Sequence, residues 1–451
     1  MEDGIALNKT VILQRNNVLK AVKLIPEKVI VFERMRFKPE NAVGLPFGSV
    51  FEVKNGDLNP VNSSLSLEEM ETAGEDNRNL VDTHGKSQTL NREDLIQMKE
   101  DGATGKEIVQ SLVENSSSFA GKTVFSQKKY LKKKQKKHLA YLQLLKPTSR
   151  LICKLYQERE PAKICHMRID SMSQLLTSTN VRHGSKVAVF ETCSGLLLGM
   201  VLERLAGKGS IVNLHPGETP VNLFAVSHFN FPDEYWDNLH SLPLHKLAPL
   251  LAGNSFQSTF DESNKTTCES EVPLESNDSS TDIANENNSK HEIAIPVDIK
   301  AVENLNEKAC NGPLKRKLSL SDKEKTAIRV ERQKKRFNHQ KAAWELLESR
   351  NMDALIVASR FHPTPIVLSL LEVLAVSKPF AIYFEYKEAL MELFVRLSVS
   401  GAAINLQLTD TFMRQYQVLP ERTHPHVMMR GHGGYLLTGI KVRPFSAQQE
   451  K

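Results

Sequence analysis

The sequence predicts an α/β protein with an N-terminal β domain: a small barrel-like sheet, then a doubly wound domain that carries a disordered insertion. Three observations predict this. Residues 1–70 alternate short apolar runs (TVILQR, VLKAVKLI, KVIVFERMRF, GLPFGSVFEV) with Gly, Pro and Asn breaks, the pattern of a small antiparallel sheet or barrel. From residue 148 apolar strands alternate with apolar helices, as a sheet covered by helices requires. Between two of those strands, residues 254–312 hold twelve Asp and Glu against four Lys and Arg, amid Ser and Asn. Such a composition cannot bury enough apolar surface to fold.

At 451 residues and 40% hydrophobic content, the chain can build two or three cores. No stretch nears the roughly 20 apolar residues of a membrane span. The opening MEDGIALNKT lacks the basic-then-apolar order of a secretion signal. A soluble, non-secreted protein with no membrane partner is expected. Five cysteines, Cys153, Cys165, Cys193, Cys268 and Cys310, show no CxxC or Cys/His spacing, which argues for a reducing compartment and against a metal site. The net charge of +6 is uneven, with basic stretches beside the acidic insertion, a distribution suited to binding a polyanion.

In chain order, the β domain occupies 1–75 and a polar, basic helical region 76–147. In REDLIQMKEDGATGKEIVQSLVENSSSF, Ile96, Ile108, Leu112 and Val113 mark the apolar faces of short helices. KKYLKKKQKKHLAYLQLLKP, residues 128–147, then carries eight lysines and no acid. A solvated helix face ordinarily pairs its cations with acids at i,i+4; without them, contact with several phosphates fits better. The second domain begins over 148–253 with strands SKVAVFE (185–191) and GSIVNLH (209–215) around the helix GLLLGMVLERLAG. It resumes over 313–451, after the insertion at 254–312. There a basic segment with eleven Lys and Arg against three acids over 315–341 forms a long helix, with Ser319 or Ser321 as cap. PLKRK within it matches a nuclear-import signal. ALIVASR, FAIYFEY and AAINLQL supply further strands, and RQYQVLPERTHPHVMMRGHGGYLLTGIKV two terminal strands joined by a Pro/His/Gly-rich loop.

The strand, turn, helix and strand of residues 186–217 match a Rossmann-like cofactor unit. In a methyltransferase of that class a glycine turn lets the backbone approach S-adenosylmethionine, and an acid after the second strand binds the ribose. Here the turn is Glu191-Thr192-Cys193-Ser194-Gly195, with Cys193 at the first glycine position. The second strand ends Asn213-Leu214-His215-Pro216, without an acid, and the strand at 354 ends Ala358-Ser359-Arg360-Phe361-His362, where an N1-adenine methyltransferase would offer one. The joint loss predicts no catalytic residue and no bound cofactor in this chain.

DNRNLVDTHGKSQTL, the lysine run at 128–137, YQEREPAKICHMR, ETCSGLLLG, LIVASRFHPTP and GGYLLTG together resemble the non-catalytic subunits of the tRNA methyltransferase that makes N1-methyladenosine at position 58. The resemblance covers nearly the whole chain apart from the insertion. It implies a methyltransferase-like second domain and a catalytic sister subunit of similar fold that binds S-adenosylmethionine. It also implies two of each subunit in a heterotetramer, a tRNA-holding role for this chain, and work in the nucleus. The candidate tRNA contacts are Asn77, Arg78, Asn79, His84, Gly85, Lys86, Ser87 and Gln88; Lys129, Tyr130, Lys132, Lys133, Lys134, Lys136, Lys137 and His138; Arg159, Glu160, Pro161, Lys163 and His166, near Arg168; and Arg360, His362, Arg422 and His424. Two other functions stay open on the residues themselves: a stand-alone RNA methyltransferase with a degenerate cofactor site, and an RNA-binding assembly factor.

Overall fold

The structure, a computed structural model, describes residues 4–61 except 16, 34 and 55; residues 88–256 except 102, 104, 140, 219, 221 and 222; and residues 322–443 except 419–422 and 428–432. The chain divides into two compact units, Met1–Thr148 and Ser149–Lys451.

In the first unit β1 (Thr10–Arg15) and β2 (Val18–Lys23) form a hairpin. β3 (Ile30–Phe32) and β4 (Met35–Phe37) make a separate ribbon, and β5 (Val50–Lys54) and β6 (Asp57–Val61) a second hairpin. Three helices follow, α1 (Arg92–Glu100), α2 (Gly105–Glu114) and α3 (Val124–His138), and then β7 (Tyr141–Leu145). β7 enters between β1 and β5 and completes an antiparallel sheet in the order β2-β1-β7-β5-β6. This corrects the helical assignment across 76–147, because the centre of the N-terminal sheet comes from inside that span. Leu142 and Leu144 alternate inward onto Leu13, Phe51 and Leu58. Five residues hard against a lysine-rich helix are too short a run for their period of two to stand out. Their pairing with distant β1 and β5 makes them a strand. Ile108 and Leu112 are buried as the helical pattern predicts, whereas Ile96 is 46% exposed.

The second unit opens with α4 (Ser149–Arg159), a 3-10 turn at Pro161–Ile164, and α5 (Ile169–Ser178). Next come β8 (Lys186–Glu191), α6 (Leu196–Leu205), β9 (Ser210–His215), α7 (Asp233–Asp237), β10 (Leu239–Pro243) and α8 (Leu247–Leu251). After the insertion follow α9 (Asp322–Glu348), β11 (Ala354–Ala358), α10 (Pro363–Leu371), β12 (Pro379–Phe384), α11 (Lys387–Ser400) and β13 (Ala403–Asp410). The short strands β14 (Tyr416–Gln417) and β15 (His424–Pro425) and the long β16 (Tyr435–Lys441) end the unit. The sheet order is β10-β9-β8-β11-β12-β16-β13, with β16 antiparallel to both its neighbours. Successive strands run outward in opposite directions from the β8–β11 pair, so a crevice opens beyond the carboxyl ends of those two strands.

β8, β9 and β11 are buried almost throughout, which is why they read as continuous apolar runs. β10, LHSLP, has no such run and becomes a strand by pairing with β9. In the C-terminal stretch, only β16 joins the main sheet; the loop segments pair as a two-residue ribbon. The last turns of α9 bury Ala343, Trp344 and Leu347 in the core. The insertion beyond residue 256 and both candidate serine caps lie outside the described residues.

Candidate functional site

At the crevice, β8 ends in Glu191 and the chain turns through Thr192–Gly195 into α6. Gly195 has φ +79°, a conformation that favours glycine, and Ser194 before it has φ +57°. A cofactor turn needs free space over such a glycine. Here a Cβ on Gly195 would stand 2.7 Å from Val226 Cγ2 and 3.0 Å from Leu223 Cδ2. The segment after β9 folds across the turn, and Ala225 N donates to Ser194 O at 3.0 Å. Phe229, at the end of a 3-10 turn, presses on Gly199 of α6 so closely that a Cβ there would lie 2.6 Å from its ring. Both glycines therefore make room for the chain's own apolar side chains. Cys193 is fully buried and its thiol donates to Ala358 O at 3.5 Å.

The ribose position fares no better. His215, 1% exposed, donates from Nδ1 to Gly217 O at 2.6 Å. Burial lowers its pKa to about 4, so the ring is neutral at physiological pH. At the end of β11, Ser359 Oγ is turned back onto Phe361 O, 3.2 Å away. The residues present do not fit S-adenosylmethionine: the turn is filled, and the hydroxyl-binding acid is replaced by a buried imidazole.

Under the turn lies a polar knot. Glu191 Oε1 accepts from Leu198 N at 2.8 Å, while Oε2 is buried without a partner among the described residues. Burial raises the carboxyl to about 7, against the backbone donors of Leu198 and Leu197. Tyr383 donates its hydroxyl to Cys165 O at 2.8 Å, and Cys165 Sγ stands 3.7 Å from Thr192 Oγ1.

The lysine run forms α3 in the first unit. Thr123 caps it, accepting from Ser126 N at 3.4 Å. Positions 129, 132, 133, 136 and 137 follow the i, i+3, i+4, i+7, i+8 spacing of one helix face. Lys129, Lys132, Lys133 and Lys137 are exposed, with no ion pair among the described residues. Leu131 and Gln127 point the other way. Leu131 packs with Val109 and Phe119, and Gln127 Nε2 donates to Phe119 O at 3.2 Å and Lys122 O at 3.0 Å. Tyr130 is occupied internally: its hydroxyl engages Gln88 Oε1 (3.0 Å) and Leu112 O (3.2 Å). The Lys122 and Lys134 ammonium groups lie 5.1 and 5.2 Å from its ring centroid. Partial burial, then the charges of Lys137, Lys133 and Lys122, lower the pKa of Lys134. His138 ends the helix, half-buried. Asn77, Arg78, Asn79, His84, Gly85, Lys86, Ser87 and Arg422 lie outside the described residues.

The remaining candidates are in the second unit. Arg159 is exposed at the end of α4, and Pro161 starts the 3-10 turn. Lys163 is ion-paired with Glu160, and His166 Nε2 stands 3.8 Å from Glu385. Arg360 joins this loop to the crevice: its backbone N donates to Thr192 Oγ1 at 3.0 Å and its guanidinium to Ala162 O. His362 faces Glu392 at 3.5 Å, and His424 is exposed on β15. The structure thus gathers 159–166 and Arg360 at one mouth.

The Gcd10p family model matches residues 4–282. The chain belongs to the Gcd10p family. It is 43% identical over 444 residues to the mouse (Mus musculus) tRNA (adenine(58)-N(1))-methyltransferase non-catalytic subunit TRM6, an alignment covering 96% of this chain and 87% of the mouse protein. The Dictyostelium discoideum protein of the same description is 32% identical over 377 residues, covering 84% of this chain and 66% of that one. Among solved structures, the tRNA (m1A58) methyltransferase TrmI of Aquifex aeolicus aligns over 98% of this chain and 99% of its own, at 12% identity and a TM-score of 0.44. In this Gcd10p-family chain the strand order carries the fold assignment.

Two features of the Gcd10p-family site were missed by sequence reasoning. Arg168, grouped with the cationic loop, is 2% exposed and structural. Its Nε and Nη2 bind Asp170 at 3.0 and 2.7 Å, and Nη2 donates to Thr411 O at 2.6 Å. Its aliphatic neighbours in sequence were the only available signal. Leu223, Val226 and Phe229, which fill the turn, read as ordinary loop hydrophobics because their target is in α6 and the turn before it.

Proposed function

We propose that this chain is the non-catalytic, tRNA-holding subunit of a tRNA N1-methyladenosine-58 methyltransferase. The observation that carries the proposal is the glycine turn filled by Leu223 and Val226, beside a buried neutral His215 where a ribose-binding acid belongs. The descriptions of the mouse and Dictyostelium relatives support the same reading. In this proposal a catalytic subunit of similar fold binds S-adenosylmethionine and supplies the reacting centre, two copies of each chain assemble, and PLKRK directs the complex to the nucleus. This chain's lysines on α3 neutralise tRNA phosphates, and the mouth formed by 159–166 and Arg360 adds further cationic contacts. Such contacts set register and affinity without reading bases.

Methyl transfer from labelled S-adenosylmethionine to unmodified tRNA tests it, using this chain alone, the catalytic chain alone and both together. Activity of the mixture only is expected. Transfer by this chain alone overturns the proposal and makes the filled cradle a working site.

A further inference from the structure

Cys165 and Cys193 come from segments far apart in sequence that the fold clamps together. Cys165 follows the 3-10 turn Pro161–Ile164, and Cys193 lies in the turn after β8. Ser194 Oγ donates to Lys163 O at 3.2 Å, Thr192 Oγ1 stands 3.7 Å from Cys165 Sγ, and Arg360 holds both Thr192 and Ala162. The two thiols interact directly. Neither has a place in holding RNA, and the cofactor turn that Cys193 spoils has no use for a thiol. We infer that this pair is an oxidative modification site, converted by a peroxide-class oxidant into an intramolecular Cys165–Cys193 disulfide.

The two sulfurs are unequal in the way such a reaction needs. The contact with Cys193, Thr192 and the Arg360 guanidinium together outweigh burial and bring the Cys165 thiol down to about 7, so a thiolate is present at neutral pH. Cys193, wholly buried and beside Cys165 and Glu191, is pushed up and keeps its proton. The Cys165 thiolate attacks one peroxide oxygen; the O–O bond breaks, sulfur loses two electrons, and a sulfenic acid and hydroxide (or alkoxide) result. Cys193 sulfur then attacks the sulfenyl sulfur. The S–S bond forms, the S–O bond breaks, and the departing hydroxide takes the Cys193 proton as water. Cys165 is only 4% exposed, so small oxidants such as hydrogen peroxide reach it best. The bond would tie the loop bearing Arg159, Lys163 and His166 to the turn at 192–195. Cys153, also buried, is pushed up to about 12 and serves as an internal control.

The test uses the full chain carrying Cys268→Ser and Cys310→Ser, treated with hydrogen peroxide, unfolded, alkylated and mapped by mass spectrometry. Two of the three remaining thiols should be lost together, in a linked Cys165–Cys193 peptide that dithiothreitol reverses, with Cys153 intact. In the same chain with Cys193→Ser, dimedone should trap a sulfenic acid at Cys165. Full alkylation of all three thiols overturns the inference. So does a dimedone adduct at Cys165 while Cys193 stays free, or oxidation of Cys153 in step with the pair.

Discussion

Replacing Glu191 by Gln should remove a specific pH dependence from the stability of the second unit. The carboxyl closes β8 in an environment that excludes water, with one oxygen on Leu198 N and the other unpartnered among the described residues. Two effects compete there: amide donors at the start of α6 favour the carboxylate, and desolvation disfavours it. Desolvation wins, raising the pKa from 4.5 to about 7. The folded value lies above the unfolded one, so the stability this group contributes is fully present below pH 4.5 and is lost as pH rises through about 7. A shift of that size is worth ~3 kcal/mol across the window, at about 1.36 kcal/mol per pKa unit. Glutamine keeps the oxygen for Leu198 and mimics the neutral acid, so the variant should match the native chain near pH 4.5 and exceed its stability by ~3 kcal/mol at pH 8. Both tryptophans, Trp236 and Trp344, belong to the second unit, so denaturant unfolding followed by tryptophan fluorescence reports that unit alone. Parallel stability-versus-pH curves for the two proteins would show that Glu191 is ionised in the fold and that the desolvation argument is wrong.

Three further outcomes follow from the same geometry. Neutralising Lys132, Lys133 and Lys137 with Gln should weaken tRNA binding and flatten the plot of log affinity against log salt by ~0.7–0.9 for each phosphate left without its lysine; an unchanged slope makes α3 a solvated face. Gly195→Ala should destabilise the second unit by ~1–3 kcal/mol, from the positive φ and the collision with Val226, whereas Cys193→Gly should leave S-adenosylmethionine binding undetectable by calorimetry because Leu223 and Val226 still fill the turn. Arg168→Met should cost ~3–5 kcal/mol by stranding Asp170 and the buried Thr411; fluorescence-monitored unfolding indistinguishable from the native chain's would refute a structural role.

Much of the fold was legible because burial writes itself into sequence. β8, β9, β11 and β12 are shielded on both faces and appear as apolar runs, and the loss of the cofactor pattern could be read from Cys193 and His215 alone. β7 and β10 were not legible. Their residues carry weak periodicity, and each becomes a strand only because partners elsewhere in the chain supply its hydrogen bonds. The candidate site divides the same way. The lysine face of α3 follows from spacing, since helix geometry is local. Tyr130 bound under Lys122 and Lys134, and Arg168 locked to Asp170 and Thr411, follow from contacts that no window of sequence contains.

By itself, then, the sequence determined the class of the fold, the charge of α3 and the absence of the residues a cofactor requires, because composition and helical or strand period are properties of neighbouring residues. Only the tertiary structure decided that Leu223, Val226 and Phe229 occupy the vacated turn, that Glu191 is buried with a lone oxygen, and that Cys165 meets Cys193. Each of those depends on which distant segments close over the carboxyl ends of β8 and β11, and the low-dielectric packing there sets the protonation states that the local sequence leaves open.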